Sequence, residues 1–293
     1  MNEFDLYRNM LKIRTLEDEL QKLCMKGEAG DLHFSKGEEA IAVGVCSVLK
    51  PTDYSVTHHR SIAHAVARGV PLKDICLEVL RGKAGEMHMR FPNYGYQFSF
   101  QLVGTCIPVA AGIAWASKYV KKEDAITAVF FGDAATANGQ FHEGLNIACV
   151  NKLPLLLVVE NNHLAGNITP EYYQSFINVS KRFESFGIGT YKVDGNKLDE
   201  IIPATESAIR ELKRFQKPIA LVFDTTRMCN HKQGQRDTRT KEELDELAKR
   251  DPIKYMIEKY AIGGLEQAQA GALAYKEVKD ALEFALASPF PTL

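Results

Sequence analysis

One stretch constrains this chain more than any other: residues 131–162, reading FGDAATANGQFHEGLNIACVNKLPLLLVVENN. An apolar run, Ile126 to Phe131, stops at Gly132-Asp133-Ala134-Ala135. A helical segment follows, and a second apolar run, Leu155 to Val159, stops at Glu160-Asn161-Asn162. Short runs of Val, Leu and Phe on either side of a helix predict a βαβ unit with buried parallel strands. Adjacent parallel strands end on one sheet edge, where ligands of such folds bind. Asp133 and Asn162, 29 positions apart, are therefore predicted to lie side by side. They offer an anionic oxygen and an amide oxygen, which suits Mg²⁺, an ion that fills its remaining positions with water and substrate phosphates. The small residues after Asp133 allow backbone N–H groups at the next helix start to approach a phosphate. Either dipeptide alone is an ordinary strand-ending turn. The pair, at this spacing, points to chemistry.

The flanking sequence extends the α/β pattern. Residues 4–26 carry apolar side chains at helical spacing up to Gly27, and a second helix is predicted near Gly37 with Glu38 and Glu39 in its first turn. His33 lies in the loop between them, a position that alone suggests only a surface residue. A short strand from Tyr54 to Thr57 precedes His58-His59-Arg60, and Ser61 is a candidate cap for the helix that follows. Arg60 at a strand end can fork a phosphate or simply form a surface ion pair. Pro71 opens a further helix, and the aromatic stretch 91–100 reads as a loop, either lid or interface. The small-residue helix PVAAGIAWASKYV permits close approach of a neighbour, inside the chain or across a subunit boundary. Strands are predicted at Tyr191 to Val193 and Ile219 to Phe223, with an amphipathic helix from Leu198 to Arg214 between them. The charge-dense segment 226–240, which holds His231, reads as a mobile solvated loop. The reading is a single domain over 1–293, with N-terminal helices over 4–50 and a helical tail over 241–293.

Composition excludes several classes. A net charge of −1 gives no basic excess for nucleic acid. The six cysteines are scattered without a CxxC pair, as expected of reduced thiols rather than a disulfide or zinc framework. No window is apolar enough for a membrane span. The mixed-charge N-terminal segment has neither a signal-peptide core nor transit-peptide character, so the cytoplasm is the expected location.

In order, HFSKGEEA, THHRSIAHAVARG, GEMHM, LVGTCIPVAAG, GDAATANGQFHE, NKLPLLLVVENN and DPIKYM resemble the alpha subunit of the decarboxylating component of 2-oxo acid dehydrogenase complexes, of pyruvate, branched-chain and acetoin types. The stretch from Gly132 to Asn162 resembles that family's thiamine diphosphate motif, with Ala134 where a glycine is usual. The resemblance implies a thiamine diphosphate-binding fold, a central mostly parallel sheet flanked by helices. It implies Mg²⁺ held by Asp133, Asn162 and the carbonyl of Leu164. Gly132, His59, Arg60, His231 and the amides of Ala134 and Ala135 match positions that hold or close over the diphosphate. Gln101 and Val103 match backbone contacts to the aminopyrimidine, and His33 and His231 match active-site histidines for substrate binding and proton or acyl transfer.

The reaction so implied is oxidative decarboxylation of a small 2-oxo acid, with acyl transfer to the lipoyl group of a partner acyltransferase. This chemistry needs a glutamate from a pyrimidine-binding domain, and the chain has no second α/β domain to supply one. A separate beta-type subunit is therefore expected, in an alpha-two beta-two heterotetramer. Four departures stand out: Ala134, Gln101 in place of a small residue, a shortened segment before GEMHM, and a short loop, HKQGQRDTR, without the family's serine-rich sequence. Phosphorylation control of that loop is not expected. The trimming also fits half of a split transketolase-like enzyme or acyloin-forming carboligase, and a third reading is a non-catalytic assembly subunit.

Overall fold

The apolar runs become the central strands of one sheet. In the computed structural model, which describes residues 2–82, 85–175, 178–232 and 234–291, the strands are β1 (Tyr54–His58), β2 (Tyr96–Phe100), β3 (Thr127–Gly132), β4 (Leu155–Asn161), β5 (Gly189–Asp194) and β6 (Ile219–Asp224). Lys83 and Ala84, on the approach to Gly85, and Gln233, in the loop after His231, lie outside the described residues. The six strands run β2-β1-β3-β4-β6-β5, and every pairing is parallel.

The helices are α1 (Glu3–Met25), α2 (Glu39–Val48), α3 (Ile62–Ala67), α4 (Leu72–Arg81), α5 (Cys106–Trp115), α6 (Gly139–Val150), α7 (Val179–Glu184), α8 (Leu198–Phe215), α9 (Lys241–Ala248), α10 (Pro252–Lys259) and α11 (Gly264–Ala287). Among the described residues no helix is long and apolar enough to cross a membrane. Both sheet faces are covered, which is why these strands read as continuous apolar runs. Ala128, Phe130, Leu156, Val158, Leu221 and Phe223 pack into one core with α1, α2, α3, α8 and α11. Their alternates Val129, Phe131, Leu157, Val159, Ala220 and Val222 join a second core with α5, α6 and α7. The small-residue face of α5 is used internally, with Ala110, Ala111 and Ala114 fully buried. A Cβ on Gly144 of α6 would lie 2.8 Å from Ile107 and 3.0 Å from the backbone nitrogen of Pro108, so this crossing depends on that glycine.

Four expectations need correction. Part of the aromatic stretch 91–100 is an edge strand, β2, which among the described strands pairs only with β1. Ser61 does not cap α3 with its hydroxyl, which instead donates to the Glu86 carbonyl at 3.0 Å. The helix after Asp133 is a short 3₁₀ turn, Asp133–Ala137, and α6 begins only at Gly139, where the Asn138 side chain accepts from the Gln140 N–H. The polar loop 226–240 is tied down: Arg239 donates to the carbonyls of Arg227 and Cys229, and Lys232 pairs with Asp31 at 3.0 Å.

Candidate active site

The chain leaves β1 toward β2 on one side and returns as β3 on the other, so strand order reverses between β1 and β3. The carboxyl ends of strands at such a reversal flank a crevice. A cavity of about 500 Å³ lies there. His59 and Arg60 reach it from beyond β1, Gly132, Ala134 and Ala135 from the end of β3, and Asn162 and Leu164 from beyond β4. Gln101 and Val103 line it from the end of β2, and His33 and His231 from the loops before α2 and after β6. Twelve residues were expected at the site from sequence, and only Asp133 does not line the cavity, being 1% exposed.

Asp133 is the least satisfied acid in the region. Its Oδ2 accepts from the Tyr173 hydroxyl at 2.5 Å, while Oδ1 is buried without a partner among the described residues. Burial raises its pKa, and the Tyr173 hydrogen bond opposes the rise. A buried carboxylate oxygen left unpaired is costly, and a hard cation is one way to satisfy it. Asn162 is held on both sides: its Nδ2 donates to Glu38 Oε1 at 2.7 Å, and its Oδ1 accepts from the Leu164 N–H at 3.1 Å. Between them His163 adopts φ +59°, a left-handed turn that His enters more readily than most residues, with its ring 2.6 Å from Asp224.

Two buried carboxylates organise the surrounding cations and rings. Glu38 takes Arg60 Nη2 on both oxygens, at 2.9 and 3.2 Å, and so links Arg60 to Asn162. Burial pushes its pKa up, against the pull of Arg60. Glu160 accepts from His58 Nε2 at 2.7 Å and His64 Nε2 at 2.8 Å. Burial alone would raise the Glu160 pKa, but His64 and His58 outweigh it and hold the group ionised. His58 is itself lowered to about 4, chiefly by burial, so it donates as a neutral ring. Its Nδ1 accepts the Arg60 backbone N–H at 3.2 Å, which fixes the tautomer.

At the third corner Glu86 takes the His33 backbone N–H at 2.9 and 3.1 Å and the His33 Nδ1 at 2.7 Å. The rings of His33, His59 and His231 meet edge to face, with centroids 4.9 to 5.6 Å apart. Burial, reinforced by His33 and Arg60, pushes His231 down to about 4. Glu38, Glu86, Glu160 and Tyr173 were not picked out from sequence. Only Glu160 carried a signal, as an acid closing a strand covered on both faces, where a charge must be paired.

Comparison with known proteins fits this geometry. A family model described as "Dehydrogenase E1 component" matches residues 7–293. The chain belongs to that family. Its relatives include the pyruvate dehydrogenase E1 component subunit alpha of Porphyra purpurea, 32% identical over 98% of this chain and 89% of the relative. The alpha subunit of acetoin:2,6-dichlorophenolindophenol oxidoreductase from Bacillus subtilis is 32% identical over the same shares of both chains. A chloroplastic pyruvate dehydrogenase E1 subunit alpha-3 from Oryza sativa is 33% identical over 98% of this chain and 72% of its own. This is an E1 alpha-type chain, an enzyme subunit of the 2-oxo acid dehydrogenase family.

Proposed function

We propose that this E1 alpha-type chain supplies the diphosphate-binding half of a thiamine diphosphate- and Mg²⁺-dependent site. That site oxidatively decarboxylates a small 2-oxo acid and passes the acyl group to a lipoyl acceptor. The observation that carries the reading is the unpartnered, buried Oδ1 of Asp133 on the edge it shares with Asn162. An anionic oxygen and an amide oxygen there, with the Leu164 carbonyl, make a hard-oxygen donor set for Mg²⁺. Arg60 supports the diphosphate, since its Nε is buried without a partner among the described residues while Nη2 is anchored on Glu38. The alanine at 134 is compatible with the role, because it lies in the 3₁₀ turn and is not among the residues with positive φ.

When bound, thiamine diphosphate supplies the carbanion chemistry, and the protein binds, orients and tunes it. Asp133 and Asn162 hold the cation, Arg60 and the amides of Ala134 and Ala135 neutralise the phosphates, and His59 and His231 close over them. With Nδ1 given to Glu86, His33 presents Nε2 as its acceptor, and Glu86 compensates the charge when Nε2 takes a proton. Gln101 and Val103 bound the ring end of the cofactor.

A pyrimidine-binding beta-type subunit completes the site in an alpha-two beta-two assembly. The apolar residues Trp115, Tyr119, Val120, Ile147 and Val150, on and just beyond α5 and α6, are 44 to 72% exposed and suit such a partner. The test is calorimetric titration of thiamine diphosphate with Mg²⁺ into this chain, then into its pair with the beta-type subunit. Binding in the pair that Asp133→Ala abolishes is the expected result. Absence of binding in both preparations would refute the reading.

A further inference from the structure

The sheet has a second place where connections part. β4 leads to α7, which packs Val179 and Phe183 into the core with α5 and α6. β6, its neighbour in the sheet, leads through α9 to α10, whose Ile253 and Met256 lie in the opposite core. Neighbouring parallel strands whose connections leave to opposite faces open a crevice at their carboxyl ends. A cavity of about 490 Å³ lies there, bounded by the ends of β4, β5 and β6 and the start of α7. It is separate from the candidate active site: Asn162 lines the one, Asn161 and His163 line the other, and the two share no residue.

The polar groups around this second cavity are unevenly engaged. Its two acids are satisfied within the chain. Asp224 takes His163 Nε2 at 2.6 Å and Arg250 at 2.9 Å. Asp194 takes the backbone and side-chain N–H groups of Asn196 at 3.0 and 3.2 Å and pairs with Lys197 at 3.3 Å. Three donors are left over. Ser180 is only 3% exposed, yet its hydroxyl has no hydrogen-bond partner among the described residues. Lys192 forms no ion pair among them. The Asn161 amide has only a 3.4 Å contact with a His163 nitrogen that already donates to Asp224. A buried hydroxyl without a partner is costly, and an acceptor brought by a ligand relieves that cost.

We propose that this cavity binds a small oxyanion, the phosphate or carboxylate group of a metabolite, held by Ser180, Lys192 and Asn161. A hydroxyl, an ammonium and an amide from three separate elements put donors in surplus, and an oxyanion is the ligand that takes only donors. The two acids do not stand against it, because Arg250 and Lys197 already match their charge. The volume falls within the roughly 300–1,000 Å³ of small-molecule sites, so there is room for an organic body behind the charged group. Val193 and Val222 line part of the wall and suit such a body. The inference stands on these donors and does not depend on the cofactor reading.

The experiment is a residue-resolved NMR titration of the purified full chain without cofactor, following the backbone amide signals of Ser180 and Val193. Inorganic phosphate is added to one sample and malonate to another, at constant ionic strength made up with chloride. Saturable shifts of both signals are expected, and the anion with the tighter curve identifies the head group. Lys192→Ala and Ser180→Ala each weaken that curve by roughly tenfold or more, the loss of one hydrogen bond to a charged group. Lys192 is exposed, so its variant is expected to fold normally, as circular dichroism would verify. Phosphate that also enters the candidate active site moves the Ala134 and Leu164 signals on a curve of its own, which Lys192→Ala leaves unchanged. Shifts of Ser180 and Val193 that stay linear to about 10 mM of either anion, tenfold above a millimolar dissociation constant, mean an adventitious ion only and overturn the proposal. It is equally overturned if Lys192→Ala and Ser180→Ala titrate as wild type does.

Discussion

Glu160 tests the electrostatic reasoning without any assumption about cofactors. It closes β4, is 1% exposed, and accepts two imidazole N–H groups at 2.7 and 2.8 Å. Glu160→Ala strands both donors. His58 cannot adapt by changing tautomer, because its Nδ1 already accepts the Arg60 backbone N–H. Two buried donors without acceptors, each costing about 1–3 kcal/mol, together with the lost packing predict a destabilisation of roughly 3–5 kcal/mol. Glu160→Gln behaves differently. Its amide oxygen can face His58 while its NH₂ faces His64, whose Nδ1 has no partner and is free to take the ring proton. The His64 Nε2 then accepts, but its Nδ1–H is left buried without an acceptor, so the variant strands one donor where alanine strands two and costs about 2–3 kcal/mol. The assay is urea denaturation at neutral pH, comparing midpoints at unchanged slope. If Gln costs as much as Ala, the tautomer argument is wrong. If neither variant loses more than about 1 kcal/mol, the network does not hold this strand end.

Three further outcomes follow from the same structure. The His58 pKa falls from 6.5 to about 4 on folding. The unfolded chain then binds more protons between those values, so stability is full above pH 6.5 and declines toward pH 4, by roughly 3 kcal/mol from this residue. Urea midpoints measured across that range check it, and a flat profile refutes it. Gly144→Ala should destabilise by about 1–2 kcal/mol, although alanine favours helix by about 1 kcal/mol, because the new Cβ meets Ile107 and Pro108; thermal unfolding reads the sign. Trp115→Asp combined with Val150→Glu should leave the unfolding midpoint within about 1 kcal/mol of wild type while weakening association with the beta-type subunit at least roughly tenfold in sedimentation.

What was legible in the sequence followed burial symmetry. β3, β4 and β6 sit between two covered faces, and their uninterrupted apolar runs announced them. β2, YQFSF, is an edge strand with only Tyr96 and Ser99 buried, so nothing in its pattern separated it from a loop. At the candidate site, the strand-edge rule placed Asp133 beside Asn162, and the family resemblance located His33, Arg60 and His231. The acids that organise them were invisible for a physical reason. Glu38 meets Arg60 from 22 positions away, Glu86 meets His33 from 53, and Glu160 meets His64 from 96. No local window contains such pairs.

The contrast among these acids bears on what Asp133 is for. Glu38 spends both oxygens on Arg60 and one of them also on Asn162, Glu160 spends one on each of two rings, and Glu86 takes both a backbone and a ring donor. All three are buried, and all three are satisfied within the chain. Asp133 is equally buried, yet among the described residues only one of its oxygens has a donor, and that donor is a neutral hydroxyl. Packing alone does not explain the difference, since Arg60 lies near enough to influence Asp133 electrostatically and is committed to Glu38 instead. An acid kept only for structure is stabilised by a second donor, and leaving one oxygen bare works against the fold. The bare oxygen is intelligible if its partner is a ligand: on the proposed reading Mg²⁺ restores the missing interaction, and the fold then gains from binding what it lacks alone.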